Sequence, residues 1–236
     1  STLVHACGGA AALAGVIVLG PREGRFGTKG EKKSMVPFAA SSIPLVVLGT
    51  FLLWFGWFGF NGFSQLAMGT FDDVNAITTI AVNTHLAGAA GTVVGAALTR
   101  LIGGKTDIVM MLNGALAGLV AITAEPLTPD PLLAMLIGGI GAVIMYFGTK
   151  FLESQKIDDV VGAIPVHMFA GIFGTLVVPM SNPDTNFGSQ LLGVISVCVF
   201  SFVLSYIVFK ALKETIGLRI STVSYTHLRA HETDSH

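Results

Sequence analysis

Seven long stretches of this 236-residue sequence contain no Asp, Glu, Lys or Arg, and this feature constrains the fold more than any other. The stretches are residues 1–21, 34–71, 74–99, 108–124, 131–149, 160–183 and 185–209. Each approaches or exceeds the about 20 residues that an α-helix needs to cross a hydrocarbon layer about 30 Å thick. Charged residues make up 11% of the chain, against about 25% in ordinary soluble domains. We therefore expect an all-α polytopic membrane protein with about seven transmembrane helices.

The basic residues support this number of crossings. When the loops between the spans are assigned alternately to two sides of a membrane, all 13 Lys and Arg residues fall on one side. They are Arg22, Arg25, Lys29, Lys32, Lys33, Arg100, Lys105, Lys150, Lys156, Lys210, Lys213, Arg219 and Arg229. Cytoplasmic loops retain positive charge, and a wrong number of helices would mix the two sides. We therefore place this side in the cytoplasm and the protein in the cell membrane, that is, the inner or plasma membrane.

Helix start signals bound the predicted spans. We expect spans at about residues 2–20, 41–61, 76–101, 108–124, 132–153, 160–179 and 188–213. The string Ser41-Ser42-Ile43-Pro44 predicts the start of the second span. The carboxylates of Asp158 and Asp159 are expected to complement the N-terminus of the sixth.

The two ends of the sequence differ from the spans between them. The chain opens at Ser1 inside an apolar segment, which indicates an N-terminal truncation. Residues 222–236 are polar and aperiodic and carry three of the six His residues. We interpret them as a non-native-looking tail and exclude them from the fold. Residues 1–221 are assigned to one transmembrane domain.

Three histidines lie inside the predicted spans, where an ionisable side chain is a functional hypothesis because lipid offers it no partner. Val4-His5 and Val166-His167 are each followed by small residues three and four positions after the His. The charge count makes their helices run in opposite directions, as in an inverted repeat whose binding site lies where the halves meet. We favour a functional role for this pair. For His85 we favour a structural role, with a hydrogen bond across helices.

A pair of buried histidines suits one kind of chemistry. A neutral imidazole has one donor and one acceptor nitrogen, so two rings can bond to each other and still offer polar groups along a narrow path. Burial in a medium of low dielectric keeps such rings neutral. An ammonium ion that enters a dry passage loses its hydration and is driven to give up a proton to a nearby base. Potassium has no proton to yield, which would provide selectivity without a charged filter.

A run of aromatic residues, from Trp54 to Ser64, lies at the outer end of the second predicted span. An interfacial aromatic belt is one interpretation, since Trp is enriched there in membrane proteins generally. The other is a pore mouth, in which aromatic faces attract a small cation and a ring closes the opening. In that case the Ser64 hydroxyl could accept a hydrogen bond from the ion. Composition alone favours neither interpretation.

Several strings of the sequence resemble one known family. Leu52-Leu53-Trp54-Phe55-Gly56-Trp57-Phe58-Gly59-Phe60-Asn61 resembles the signature of the ammonium transporter (Amt/Mep/Rh) family. Other stretches in the same order are Val4-His5 with its glycines, Ala81-Val82-Asn83-Thr84, the string from Gly114 to Thr123, Asp158-Asp159 before Val166-His167, and Gly217-Leu218-Arg219. The resemblance implies an eleven-helix fold of two inverted five-helix halves and a last helix, assembled as a trimer. This chain would hold roughly the fifth to eleventh helices.

The resemblance also implies roles for particular residues. His5 and His167 would be the twin conduction histidines, Phe60 one ring of the outer gate, and Trp57 and Ser64 part of the recruitment site. Thr123 and Asn61 would line the pore. The substrate would be ammonium or ammonia, with methylammonium as an analogue. The basic loop at residues 21–33 resembles a surface that P-II regulatory proteins contact, although a loop that only sets orientation explains it equally well.

Alternative classes make different demands on the sequence. A seven-helix photoreceptor needs a Schiff-base lysine in the middle of its last span, but Lys210 lies at the cytoplasmic end. An intramembrane enzyme needs a nucleophile or metal set, and its usual motifs do not occur.

Cys7 and Cys198 lie in apolar spans and indicate neither a disulfide nor a metal site. We expect no catalytic site, cofactor, metal or nucleic-acid partner. An ammonium sensor, with the same fold coupled to a signalling domain, stays open as the alternative.

Overall fold

The computed structural model describes residues 1–26 and 38–220, and every regular element in these two ranges is helical. The main helices are α1 (Cys7–Leu19), α2 (Ile43–Gly62), α3 (Phe71–Gly103), α4 (Ile108–Ile122), α5 (Pro131–Ser154), α6 (Ala170–Leu176) and α7 (Phe187–Thr215). Two π-helical segments, Thr2–Ala6 and Ile164–Phe169, lead into α1 and α6, and two 3-10 segments, Phe63–Gln65 and Val178–Met180, follow α2 and α6. The all-α prediction is confirmed.

Each of the seven predicted spans corresponds to a helical segment, but the segments differ in length. Five of those in the described part of the chain are long and apolar enough to cross a membrane: Thr2–Leu19, Ile43–Gln65, Phe71–Gly103, Pro131–Ser154 and Phe187–Thr215. The apolar helices Ile108–Ile122 and Ile164–Met180 are shorter. At about 1.5 Å per residue, the 15 residues of α4 rise about 22 Å.

The second and third helices begin at side-chain caps. The Ser42 hydroxyl accepts a hydrogen bond from the Leu45 backbone N–H, as the start signal predicted. The third helix begins at Phe71, five residues before the predicted start at 76. Thr70 and Asp73 form a capping box there, in which each side chain accepts a hydrogen bond from the other residue's backbone N–H. The capping box starts the helix in a turn that contains Asp72 and Asp73, which hydropathy left out of the predicted span.

The predicted sixth span is a composite of π-helix, α-helix and 3-10 helix rather than one continuous α-helix. Pro165 lies in its first turn and has no N–H to donate, which disfavours regular α-helical bonding. The Asp159 carboxylate accepts hydrogen bonds from the backbone N–H groups of Gly162, Ala163 and Ile164. Asp159 therefore complements this N-terminus as predicted. The same expectation for Asp158 was wrong, because its carboxylate binds an arginine instead.

That arginine is Arg22, in the loop after α1. Its Nε and Nη2 atoms lie 2.7 and 2.8 Å from the two carboxylate oxygens of Asp158, and its backbone N–H donates to the same side chain at 2.9 Å. The Asp158 side chain is only 3% exposed. The hydrogen bonds from Arg22 hold the pKa of Asp158 below its usual range. Arg25 adds a second ion pair, with Glu153 at 3.0 Å.

These ion pairs bring the first and fifth loops together at one end of the bundle. Arg219, after α7, reaches the same place and donates to the carbonyl oxygens of Gly20 and Pro21. This arrangement agrees with the alternating assignment of basic loops. Lys29, Lys32, Lys33 and Arg229 lie outside the described residues, as do the 27–33 part of the suggested P-II loop and the predicted tail at 222–236.

Glycines determine how closely α3, α4 and α5 pack. A Cβ atom on Gly91 of α3 would overlap the Gly114 carbonyl of α4, and one on Gly114 would lie 2.5 Å from the Gly91 oxygen. Gly118 and Gly138 approach the Ala87 backbone in the same way. Small residues let membrane helices approach, since lipid provides no hydrophobic drive between them. The three helices therefore form a closely packed block, and α2 and α6 pack on it.

We predict that Gly91→Ala destabilises the bundle. The added methyl group meets backbone, which cannot move aside as a side chain can, and overpacking of this kind costs about 1–3 kcal/mol. Thermal unfolding of the detergent-solubilised protein measures the effect as a lower Tm. Gly103→Ala is the control, because a Cβ there meets no atom within 4 Å. Equal Tm values for the two variants would show that the close approach is not needed.

We predict that Asp158→Asn destabilises the protein in a pH-dependent way. Because the pKa of Asp158 is lower in the folded protein than in the unfolded chain, its ion pair stabilises above about pH 4, the ordinary Asp range. That stabilisation is lost as the pH falls through the folded-state pKa. The difference in Tm between wild type and variant should therefore be full at pH 7 and shrink in acid. Asp72→Asn, at an exposed position of α3, is the control for loss of a surface carboxylate. A difference between wild type and Asp158→Asn that does not change with pH would contradict the prediction.

Candidate functional site

Both histidines of the predicted pair lie in π-helical turns, His5 in Thr2–Ala6 and His167 in Ile164–Phe169. The structure brings them together, with their Nδ1 atoms 3.2 Å apart and their ring centroids 5.3 Å apart at an interplanar angle of 19°. The π-helix is rare and is found most often as single turns at functional sites. The wider turn rotates each side chain away from the position that a regular α-helix would give it.

When both rings are neutral, the Nδ1 to Nδ1 contact requires them to differ in tautomer. One Nδ1 must carry a proton and donate, while the other must accept through its lone pair. The outward Nε2 atoms are then one acceptor and one donor. The Nε2 atom of His5 is buried and has no hydrogen-bond partner among the described residues. Buried polar atoms almost always have a partner, so this nitrogen is available to a molecule that enters the site.

Trp57 covers the histidine pair. Its ring stacks on His5 with centroids 5.1 Å apart and an interplanar angle of 15°. Its indole N–H donates to the Thr123 hydroxyl at 2.8 Å, and that hydroxyl donates in turn to the Leu119 carbonyl at 2.6 Å. Thr123, predicted to line the pore, therefore joins the site through Trp57. Its two hydrogen bonds fix the orientation of the indole ring and hence of its stacking face.

Phe60 lies beside the same two rings. Its centroid is 5.7 Å from that of His5 and 5.9 Å from that of Trp57. The three rings border a groove of about 570 Å³. The lining residues are His5, Gly49, Leu52, Leu53, Gly56, Trp57 and Phe60. The imidazole and the indole supply the only side-chain nitrogens among these lining residues, so the groove is apolar except next to its rings.

Ser64 and Asn61 are held by hydrogen bonds rather than by contacts with the rings of this cluster. Ser64 is exposed beyond the end of α2, and its hydroxyl donates to the Phe60 carbonyl at 2.7 Å. The hydroxyl oxygen keeps lone pairs that could accept a hydrogen bond from an ion. Asn61 is 2% exposed, and its side-chain amide donates to the Thr84 hydroxyl of α3 at 2.9 Å. Their roles in recruitment and pore lining stay predictions.

The third membrane histidine, His85, lies apart from the pair. It is exposed on α3, with the rings of Trp54 and Phe58 at centroid distances of 5.6 and 6.2 Å. These ring contacts cross from α2 to α3, but the hydrogen bond across helices that the structural interpretation expects is not among the contacts of the described residues. His85 therefore offers a matched comparison for variants of His5 and His167.

Sequence reasoning missed polar contacts that hold the two histidine segments. The buried hydroxyl groups of Thr2 and Thr175 lie 2.6 Å apart, and the Ser1 hydroxyl donates to the Val120 carbonyl at 2.8 Å. Both contacts join residues more than 100 positions apart in the chain. The inverted orientation of the two histidine helices predicts that they lie together, but it does not predict which of their residues make contact. These contacts position the His5 segment against α4 and α6.

Comparison with known proteins agrees with this architecture. A sequence model of the Ammonium Transporter Family matches residues 1–233. Ammonium transporter Amt2 of Archaeoglobus fulgidus is 39% identical over 241 aligned residues, which cover 94% of this chain and 50% of the relative. The chain thus spans about half the length of the curated relatives it matches.

Solved structures are similar over the same extent. A structure described as Sensor Amt Protein matches with a TM-score of 0.84 and 34% identity, over 93% of this chain and 55% of that one. Mep2 of Candida albicans matches with a TM-score of 0.81 and 27% identity, over 93% and 51%. The curated relatives are named as transporters rather than enzymes, and the apolar helices make the chain an integral membrane protein. The resemblance predicted from the sequence is confirmed, and the chain belongs to the Ammonium Transporter Family.

Proposed function

We propose that the protein conducts ammonium or ammonia across the membrane along a path that passes the His5 and His167 imidazoles. The observation that carries the proposal is the 3.2 Å contact between the two Nδ1 atoms at the edge of an apolar groove. The name of the Archaeoglobus relative, an ammonium transporter, supports the substrate class. Because the chain spans half of that relative, the proposed activity belongs to the complete protein.

The first step is recruitment of the ammonium ion at the aromatic residues. The faces of Trp57 and Phe60 attract a small cation, with a contribution of about 0.5–2 kcal/mol per contact. The Ser64 hydroxyl, one turn beyond Phe60, accepts a hydrogen bond from the ion. Phe60 is 42% exposed and can turn to open or close the way to His5. These three residues form the recruitment site and outer gate in this proposal.

The second step is loss of the proton. Apolar surfaces replace the hydration shell of the ion as it enters the groove, and burial of an unpaired charge is costly. Ammonia is neutral and avoids that cost, so the ion gives up its proton before passage. The acceptor is the lone pair of the unpartnered Nε2 of His5, in the tautomer whose Nδ1 carries the proton. The imidazolium then returns the proton to water, and the pair is neutral again. Ammonia then accepts or donates a hydrogen bond at the outward nitrogen atoms of the imidazole pair. Potassium bears no proton to release and is excluded by its hydration.

The proposal also includes assembly and regulation. We propose a homotrimer, with family membership as its support; lipid or neighbouring subunits would cover the outward apolar side chains of α2, such as Phe51 and Phe55. We also propose a P-II regulatory protein as a partner at the cytoplasmic loop. Arg22 and Arg25 of that loop already form ion pairs with acidic residues of the chain. A P-II protein would therefore bind through other residues of the loop.

A second candidate function is ammonium sensing, in which the same fold signals to a fused or partner domain. The similarity to the structure described as Sensor Amt Protein favours it. Measurement of net uptake distinguishes the two functions, because a sensor needs a change of state on binding but no net uptake. Growth of a transport-deficient cell on low ammonium, restored by the complete protein, supports transport. Binding without restored growth would support sensing.

We predict that His167→Ala in the complete protein abolishes methylammonium uptake or removes its selectivity over potassium. The variant removes one half of the pair, and a positioned proton-transfer group is worth about 10²-fold or more. Uptake of labelled methylammonium with and without potassium, in a transport-deficient cell, measures both effects. His85→Ala is the matched control and should transport normally. Unchanged uptake and unchanged potassium exclusion in the His167 variant would remove the proposed role.

We predict that Thr123→Val weakens uptake without abolishing it. The change conserves side-chain shape but removes the acceptor for the Trp57 indole N–H, so the ring is no longer fixed over His5. Loss of one neutral hydrogen bond, about 0.5–1.5 kcal/mol, corresponds to about a two- to tenfold change. The expected result is a raised KM for methylammonium. Thr78→Val, at an exposed position of α3 whose hydroxyl bonds only the Val74 carbonyl, should leave KM unchanged.

A further inference from the structure

The two histidine segments contact each other through a reciprocal pair of glycines. Gly9 lies four residues after His5, and Gly171 lies four residues after His167. A Cβ atom on Gly9 would lie 2.5 Å from the Met168 Cβ and 2.6 Å from its backbone nitrogen. A Cβ atom on Gly171 would lie 3.3 Å from both the His5 Cβ and the Ala6 nitrogen. Each glycine therefore receives the backbone at or next to the histidine of the opposite segment.

The spacing places each glycine on the same face of its segment as the histidine. Residues four apart are neighbours on a helix surface, about one turn and 5–6 Å from each other. A change in the separation of the two segments at the glycines is therefore passed on to the imidazoles with little attenuation. A hydrogen bond is lost at about 3.6 Å, whereas the Nδ1 atoms are 3.2 Å apart. The contact tolerates a shift of only a few tenths of an ångström.

Neighbouring glycines do not have this relation to the histidines. A Cβ atom on Gly8 would meet no atom within 4 Å, although Gly8 adjoins Gly9. Gly15, further along α1, faces the ring of Phe209, the mobile end of a side chain on α7. Gly174 of α6 faces the backbone of Ala121 on α4. Only Gly9 and Gly171, of these five, face the opposite histidine segment.

We propose that Gly9 and Gly171 are positioning residues that set the separation of the two imidazoles. The absence of a side chain at each position lets the two segments lie backbone against backbone. The two Nδ1 atoms then lie within hydrogen-bond distance of each other. The effect of these glycines on transport rests on the proposed function, whereas their effect on the distance between the rings does not.

The two positions differ in how much room they leave. An added methyl group on Gly9 meets the backbone nitrogen of Met168, so Gly9→Ala forces the segments apart or prevents folding. An added methyl group on Gly171 meets atoms at 3.3 Å, and a shift of a few tenths of an ångström relieves that contact. One of those atoms is the His5 Cβ itself. Gly171→Ala is therefore the informative variant, since it keeps the fold and displaces His5.

The experiment compares Gly171→Ala with two matched variants of the complete protein in proteoliposomes. Gly8→Ala tests the effect of an added methyl group where there is room. Gly95→Ala tests a backbone contact of similar tightness, 3.1–3.3 Å, between α3 and α4 and away from the His5 segment. Methylammonium uptake, its ratio to potassium uptake, and Tm are measured for all three. A crystal structure of the Gly171 variant gives the Nδ1 to Nδ1 distance.

We expect Gly171→Ala to lower uptake about two- to tenfold, the change expected for loss of one hydrogen bond, and to lower the ratio of methylammonium to potassium uptake. Its imidazole nitrogens should lie beyond hydrogen-bond distance. Gly8→Ala should match the wild type, and Gly95→Ala should lower Tm but keep the selectivity ratio.

Two results would overturn the inference. One is an unchanged Nδ1 to Nδ1 distance in the Gly171 variant. The other is the same loss of selectivity in Gly95→Ala as in Gly171→Ala, which would make the effect one of general packing. A wild-type protein that takes up no methylammonium would instead contradict the proposed function, and the distance in the variant structure would still decide the role of the glycines.

Discussion

The hydrogen bond between the His5 and His167 rings depends on at least one of them being neutral, and much of the surrounding structure maintains that condition. If both rings were protonated, both Nδ1 atoms would be donors, and no bond could form between them at 3.2 Å. Apolar surroundings disfavour the charged form of each ring. The leucines and glycines of the groove and the stacked indole of Trp57 provide those surroundings. The apolar surroundings therefore maintain the protonation state on which the hydrogen bond between the two rings depends.

The cytoplasmic end of the bundle connects to the same pair through adjacent residues. Asp159 accepts hydrogen bonds from the first backbone N–H groups of the His167 segment, while Asp158 binds Arg22 in the loop after α1. The loop of one histidine helix is thus tied to the start of the other. Arg219 donates to carbonyl oxygens in that loop, so the end of the chain beyond α7 is joined to it as well.

The sequence predicted the helices and the histidine pair because both leave periodic or repeated signals. Hydropathy and charge segregation predicted seven helical segments and opposite directions for the two Val-His strings. The partner of Asp158 could not be predicted, since Arg22 is 136 residues away and the sequence next to Asp158 gives no register. The π-helical turns were also missed, because the apolar sequence around His5 and His167 does not distinguish a π-turn from an α-helix. Asn61 illustrates a different limit: a polar side chain in a membrane helix can line a path or bond a neighbouring helix, and its sequence context is the same in both cases.

The composition of the groove favours conduction over tight binding. An ion must bind well enough to enter a conducting path and weakly enough to leave it. The groove offers aromatic faces and the unpartnered Nε2 of His5, and no carboxylate is among its described lining residues. Contacts of this kind hold a cation weakly, since each aromatic face contributes about 0.5–2 kcal/mol. A sensor that holds ammonium long enough to shift a conformational equilibrium needs a larger difference in affinity between its two states. A site built from rings, with a neutral acceptor behind them, is better suited to passing its ligand on.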